Sequence, residues 1–174
     1  VKSTKSETTF TTLDSKERKL PVNTLMICDG KNEVAIAGVM GGENSEITAS
    51  TKNILIESAY FNPSSIRKTS KALGLSTDAS YRFERGTDPN ITKYAVERCA
   101  QLISELADGK IAKGIIDGYP NVINPKEIEL RFSRTTRILG YEVPAEKIKN
   151  ILSRLGLALK VLNDDKLLVS VPTF

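Results

Sequence analysis

The spacing of apolar residues predicts strands in the first third of the chain. Short runs of β-branched and aromatic residues alternate with turn signals up to residue 61, a pattern typical of strands joined by tight turns. Residues 34–40 show no polar alternation, which indicates a single strand covered on both faces and ended by Gly41 and Gly42. The predicted strands cover residues 8–12, 24–29, 34–40 and 53–61, with turns at 14–16 and 30–32.

Helical spacing replaces this pattern after residue 61. Asn62 followed by Pro63 is a helix start signal, and Gly74 is typical of the position just beyond a helix end. A second helix is predicted to start at Asp88 and to be ended by Gly109. Strands followed by helices predict an α+β fold, with a mixed or antiparallel sheet and packed helices, and not a doubly wound sheet.

A second, smaller domain is predicted after residue 118. Two prolines stand in a polar, extended stretch over residues 119–125, which resists helix and indicates a boundary. The elements after it are, in order, a short strand, a helix capped by Ser133, a second helix, and the two strands of a hairpin. This order predicts a winged-helix-like domain over residues 119–174, after a first domain over residues 1–118.

Composition narrows the chemistry that is open to this chain. Its 174 residues carry a formal charge of +4, which permits a nucleic-acid partner without arguing strongly for one. There is no histidine, which excludes Ser-His-Asp triads, Cys-His pairs and zinc sites built on imidazole. Cys28 and Cys99 are predicted to be buried, reduced thiols, as in cytoplasmic proteins. No apolar run approaches the roughly 20 residues of a membrane span, so no membrane partner is expected.

The smaller domain is the more basic of the two. Residues 119–174 carry nine basic and six acidic side chains, against 16 and 15 in residues 1–118. These cations either contact a nucleic-acid backbone or form a solvated helix face. The absence of interleaved aromatics favours the solvated face. The first residue is Val1, and the missing initiator methionine leads us to expect a piece of a longer protein.

Three features of the first domain are candidates for a binding site. Glycines at the end of the 34–40 run either make a sharp turn or let a ligand approach the backbone closely. Glu57 lies in a mostly apolar run, so its carboxylate either pairs with Arg82 or Arg85 or faces a cavity. The dense arginine-carboxylate segment over residues 77–86 either organises a turn between helices or binds phosphate.

These same three segments resemble one family. Residues 37–42, 55–61 and 74–86 are closely similar to the beta subunits of bacterial phenylalanyl-tRNA synthetases, and the likeness covers nearly the whole chain. The resemblance implies that residues 1–118 are the later part of the family's tRNA-editing domain. It also implies that the small domain from residue 119 has a fold similar to winged helices that bind DNA.

The resemblance also implies an activity and its partners. The family's enzyme is a class II ligase, an α2β2 tetramer that uses ATP and magnesium to charge phenylalanine tRNA. The aminoacylation site lies on the alpha subunit, so this chain is expected to hold no cofactor, metal or catalytic residue for that reaction. The beta subunit's editing domain hydrolyses tyrosine wrongly attached to that tRNA. The matching pocket residues here are Glu57, Thr77, Ala79 and Gly41, with Glu57 accepting the hydrogen bond of the tyrosine phenol.

One departure from the family bears on activity. The family's editing site also uses a histidine from earlier in the domain, and this chain has none. We therefore expect the isolated chain to be inactive, since any hydrolysis would depend on orienting water and substrate and not on a covalent nucleophile. The alternative is a nucleic-acid-binding or subunit-packing module with no activity of its own.

Overall fold

Antiparallel hairpins build the first part of the structure. The computed structural model describes residues 1–174, which form two compact units, residues 1–112 and 113–174. The strands of the first unit are β1 (Lys2–Ser3), β2 (Thr8–Thr11), β3 (Glu17–Leu20), β4 (Leu25–Cys28), β5 (Glu33–Ile36) and β6 (Met40–Gly41). β2 and β3 form a hairpin, and the other four form a separate sheet in the order β1-β4-β5-β6. The predicted turns at 14–16 and 30–32 join β2 to β3 and β4 to β5.

The predicted single strand over residues 34–40 is wrong, because the chain reverses within it. β5 ends at Ile36, and Met40 in β6 pairs back with Ile36 in antiparallel register. Gly38 makes this turn with a φ of +65°, a left-handed conformation that glycine adopts without steric cost. The absence of polar alternation marked a buried turn and two strand ends, and not one long strand.

The predicted strand over residues 53–61 is also wrong. No residue of this segment pairs with another strand, and Leu55 is 96% exposed. β-branched and aromatic residues favour a strand where a neighbour accepts its backbone hydrogen bonds, and here no strand does so. The segment is nevertheless fixed at its end, since Phe61 is buried in the core.

Three helices follow in the first unit. α1 (Pro63–Leu73) begins and ends as predicted, since the Asn62 side chain accepts a hydrogen bond from the Ser65 N–H (3.1 Å) and Gly74 takes a φ of +61°. A short α2 (Asp78–Phe83) comes next. A 3-10 turn, Pro89–Ile91, leads into α3 (Thr92–Ala107), whose apolar stripe holds no buried residue. Asp108, and not the predicted Gly109, takes the left-handed position that ends α3.

The core of the first unit joins the sheet, β3, the Gly38 turn and α1. It consists of seven buried apolar residues: Leu20, Met26, Ile36, Ala37, Val39, Phe61 and Ile66. Full burial of each such side chain contributes about 1.5–3 kcal/mol, so this cluster dominates the stability of the unit.

The second unit shows the predicted order of helices and hairpin. β7 (Lys126–Arg131) precedes α4 (Phe132–Leu139) and α5 (Ala145–Arg154), and the hairpin of β8 (Ala158–Val161) and β9 (Lys166–Val171) follows. β9 lies between β7 and β8 in an antiparallel sheet. Strands and helices in both units confirm the α+β class.

A residue from the hairpin turn caps α4, and the predicted cap at Ser133 is wrong. The Asp165 carboxylate accepts hydrogen bonds from the Ser133 N–H and from the Ser133 hydroxyl, both at 2.8 Å. The Asp165 backbone carbonyl accepts a third from the Phe132 N–H at 3.0 Å. The two bonds from Ser133, that of its backbone N–H first and that of its hydroxyl second, hold the pKa of the Asp165 carboxyl below its ordinary value.

Asp165→Ala is expected to loosen the start of α4 in a pH-dependent way. The Asp165 carboxyl has a lower pKa in the folded chain, so its contribution is complete above its unfolded pKa of about 4 and is lost as the pH falls through the folded value. Amide-exchange protection at Phe132 and Ser133 should fall at neutral pH and match the parent chain in acid. Asp164→Ala, one residue away and without a hydrogen bond of its own, is the control. Equal effects of the two changes would rule out the cap.

Two further expectations concern cysteines and membranes. Both cysteines are free thiols, but Cys28 is only half-buried and Cys99 is exposed, so the prediction that both are buried is wrong. Cys99 belongs to the apolar stripe of α3, and no residue of that helix is buried. None of the helices is long and apolar enough to cross a lipid bilayer.

Candidate functional site

Thr77 connects the start of α2 to the end of the Gly38 turn. Its hydroxyl donates to the Val39 carbonyl (2.7 Å) and accepts from the Ser80 N–H (3.1 Å). The Ser80 hydroxyl accepts in return from the Thr77 N–H (2.9 Å), which completes a reciprocal cap. Thr77 therefore has a fixed side chain, and the short helix α2 is held against the sheet end by a bond between residues 38 positions apart.

Aromatic packing fixes the segment that carries Glu57. The rings of Phe61 and Phe83 meet edge to face, with centroids 4.9 Å apart. A methyl group built on Gly38 would lie 2.9 Å from Phe61 and 3.0 Å from Ile66, so the turn backbone is directly against these side chains. An aromatic pair such as Phe61 and Phe83 contributes about 0.5–1.5 kcal/mol beyond the area that it buries. Glu57 thus lies four residues from a firmly packed anchor.

Glu57 is a carboxylate without a partner. It makes no hydrogen bond and no ion pair, although the protein around it partly desolvates the carboxyl and raises its pKa above the ordinary value. The residue as a whole is exposed, so the carboxylate lies beside protein while one side stays open. The hydrogen-bonding capacity of this carboxylate is therefore open to water or to a donor from outside the chain.

The alternative ion pair to Arg82 or Arg85 is absent. Arg85 donates to the Glu84 carboxylate (2.8 Å) and to the Tyr81 carbonyl (2.8 Å), and its guanidinium lies 3.5 Å from the centre of the Tyr81 ring. No ion pair involves Arg82. The predicted network of arginines and carboxylates over residues 77–86 is therefore reduced to a single pair of neighbours.

The structure brings some of the predicted pocket residues together and leaves others apart. Thr77 and Ala79 both lie at the start of α2, and Thr77 is bonded to Val39, two residues before Gly41. The space beside the Gly41 Cα is occupied by Leu13, whose Cδ1 would be 2.9 Å from an added methyl group. No hydrogen bond joins Glu57 to any of the other three residues.

Sequence reasoning missed the reciprocal cap of α2, although a signal was present. Threonine is a favoured N-cap residue, and the polar side chain of Ser80 three positions later closes a capping box with it here. Ser80 is 1% exposed, so its burial together with its hydrogen bonds identifies it as a structural residue. No group of three or more Cys, Asp or Glu side chains is arranged to hold a metal ion.

Comparisons with known proteins agree with the layout of the two units. Residues 1–108 match the family model of the B3/4 domain, and residues 128–174 match that of the tRNA synthetase B5 domain. A phenylalanine–tRNA ligase beta subunit of Salinibacter ruber is 49% identical over all 174 residues, which is 21% of its own length. Those of Geobacter metallireducens and Syntrophus aciditrophicus are 48% and 54% identical over 94% and 85% of this chain. The matched regions make up 20% and 18% of the length of these two relatives.

The chain spans about a fifth of the length of these curated relatives. The family resemblance inferred from residues 37–42, 55–61 and 74–86 is confirmed, because the matches run through all three segments and on into the second unit. The chain belongs to the B3/4 domain family over residues 1–108 and carries a B5 domain over residues 128–174; together they correspond to a segment of phenylalanine–tRNA ligase beta subunits.

Proposed function

We propose that this chain contributes the amino-acid pocket with which a phenylalanine–tRNA ligase removes tyrosine from mischarged tRNA. Residues 1–118 are the later part of the editing domain, and residues 119–174 are the small winged-helix-like domain after it. The single observation that supports the pocket best is the carboxylate of Glu57, which is partly desolvated and has no partner within the chain. Thr77, Ala79 and Gly41 complete the proposed pocket.

The proposed mechanism of selection rests on one hydroxyl group. Tyrosine differs from phenylalanine by its phenol, which donates a hydrogen bond to the Glu57 carboxylate and relieves its lack of a partner. Phenylalanine leaves that carboxylate unpaired against its ring. A site built around a hydroxyl of the substrate rejects the analogue without it by up to about 10⁴–10⁵-fold. Thr77 holds the wall of the pocket in place through its bond to Val39.

The hydrolytic step requires groups beyond this chain. No histidine is present, and Thr77 and Ser80 already use their hydroxyls in the cap of α2. The chain therefore binds and orients the mischarged amino acid, while the water and its activation come from other parts of the enzyme. On this account the isolated chain does not deacylate tRNA.

The partners of the whole enzyme belong to the same proposal. They are phenylalanine tRNA and the alpha subunit. The whole enzyme uses ATP and magnesium to aminoacylate this tRNA in the cytoplasm. The small domain favours a role with tRNA or the alpha subunit, because only two of the nine cations in residues 119–174 form ion pairs, Lys149 with Glu146 and Lys166 with Glu129. The seven others are available to phosphates or to an acidic surface.

Binding of amino-acid amides to this chain tests the pocket. L-Tyrosinamide is expected to shift the amide NMR signals of residues 57, 77 and 79, whereas L-phenylalaninamide shifts them less at the same concentration. Glu57→Ala should lower the affinity for tyrosinamide by about 10- to 100-fold, since a hydrogen bond to a charged group contributes about 1.5–3 kcal/mol. Glu46→Ala, an exposed carboxylate in the same unit, should change nothing. Equal binding of both amides to the parent chain would refute the proposed pocket.

A further inference from the structure

A polar cleft lies beside α1 and contains none of the four residues of the proposed tyrosine pocket. It has a volume of about 450 Å³ and lies between the turn at residues 21–24 and one face of α1, from its start to Ala72. The residues that matter most in its wall are Asn23, Ser64, Ser65, Lys68 and Thr69. No carboxylate lines it. The cleft therefore presents hydrogen-bond donors and one positive charge, without a negative charge to oppose an anion.

Thr69 is a buried polar side chain in the wall of the cleft. The residue is 8% exposed, yet its hydroxyl makes no hydrogen bond within the chain. A threonine inside a helix commonly donates to the carbonyl four residues earlier, and Thr69 does not. Of the side-chain oxygens without a hydrogen-bond partner, only that of Thr87 is fully enclosed. The unpaired Thr69 hydroxyl is therefore in contact with solvent, and the cleft that Thr69 lines provides that contact.

The start of α1 supplies further donors to the same space. Pro63 has no N–H and the Ser65 N–H is taken by Asn62, which leaves the Ser64 N–H without an acceptor. The hydroxyls of Ser64 and Ser65 have no partner, and Lys68 forms no ion pair. The N-terminus of a helix carries a partial positive charge, which adds to that of the lysine.

We propose that this cleft binds a phosphate group. The free donors are one backbone N–H, the hydroxyls of Ser64, Ser65 and Thr69, and the Lys68 ammonium. A carboxylate has only two oxygens, which lie in one plane, and does not use this many donors. The oxygens of a phosphate point in tetrahedral directions and suit such a set of donors at a helix N-terminus. The phosphate belongs either to a polynucleotide backbone or to a small phosphoester. The assignment is independent of the tyrosine pocket, since it uses none of its residues.

Titration of the 174-residue chain with sodium phosphate tests the site. Amide NMR spectra are recorded at constant pH, with sodium chloride matching the ionic strength in a parallel titration. Phosphate is expected to shift the amide signals of residues 64–69 with a Kd in the millimolar range, and chloride is not. Lys68→Gln and Thr69→Val should each weaken binding by about three- to tenfold, because each removes a donor to a charged acceptor.

The control and the folding check use the same helix. Lys71→Gln makes the same change of charge in the last turn of α1, outside the cleft, and should leave phosphate binding unchanged. Thr69→Val should not lower the unfolding temperature, since the hydroxyl has no bond in the chain to lose. A short single-stranded RNA that displaces phosphate identifies a polynucleotide backbone as the source, and one that does not identifies a small phosphoester. Equal phosphate affinity in the Lys68, Thr69 and Lys71 variants would overturn the proposal.

Discussion

Gly38→Ala is expected to lower the free energy of unfolding of the first unit by about 3 kcal/mol, through backbone strain and overpacking together. Gly38 has a φ of +65°, which costs an L-residue roughly 1–2 kcal/mol. Its added methyl group would also lie 2.9 Å from Phe61 and 3.0 Å from Ile66, two core side chains that have little room to move. Forcing a methyl group into such a site costs about 1–3 kcal/mol.

Gly74→Ala separates these two causes. Gly74 has nearly the same backbone angle, with a φ of +61°, but nothing lies within 4 Å of the methyl group that alanine would add. It should therefore show the strain alone, a loss of about 1 kcal/mol. Urea unfolding followed by circular dichroism measures both variants. Equal losses would mean that contact with Phe61 and Ile66 plays no part.

The Gly38 turn also shows that the spacing of apolar residues alone does not distinguish a buried strand from a tight apolar turn. The apolar run over 34–40 has the pattern of one buried strand, because a tight turn made of apolar residues shows no polar position to interrupt it. Only the left-handed glycine in its middle distinguishes the two, and a lone glycine in a strand pattern has several explanations. The caps of α1 were predictable for the opposite reason, since Asn62, Pro63 and Gly74 act on their own sequence neighbours.

Contacts between distant segments account for the remaining differences. Asp165 caps α4 from a turn 32 residues away, and no local rule connects it to Ser133. Thr77 bonds to Val39 across 38 residues, although the cap that it also makes was readable from Ser80. Residues 53–61 have the composition of a strand but no neighbour to pair with. In the candidate site, the sequence placed Glu57 among apolar residues but did not identify its partner. The structure shows no ion pair between Glu57 and either Arg82 or Arg85.

Glu57→Ala is expected to have the largest effect on function. In the proposed pocket the carboxylate accepts the phenol hydrogen bond, worth about 1.5–3 kcal/mol for a charged group, so its loss slows removal of tyrosine by about 10- to 100-fold. The variant should fold at least as well as the parent chain at neutral pH. Desolvation raises the pKa of Glu57, which means that its ionised form opposes folding above that pKa and that the opposition disappears in acid. A site that gives up stability in this way is typical of a functional residue.

The rate of tyrosine release from mischarged phenylalanine tRNA tests the account most directly. The measurement uses the beta subunit that carries this segment, assembled with its alpha subunit, and compares the parent protein with Glu57→Ala and Glu46→Ala. We expect the Glu57 variant alone to lose about 10- to 100-fold in deacylation of the tyrosyl-tRNA, with aminoacylation of phenylalanine unchanged. Deacylation by Glu57→Ala at the parent rate would contradict the assignment of Glu57 as the residue that recognises tyrosine.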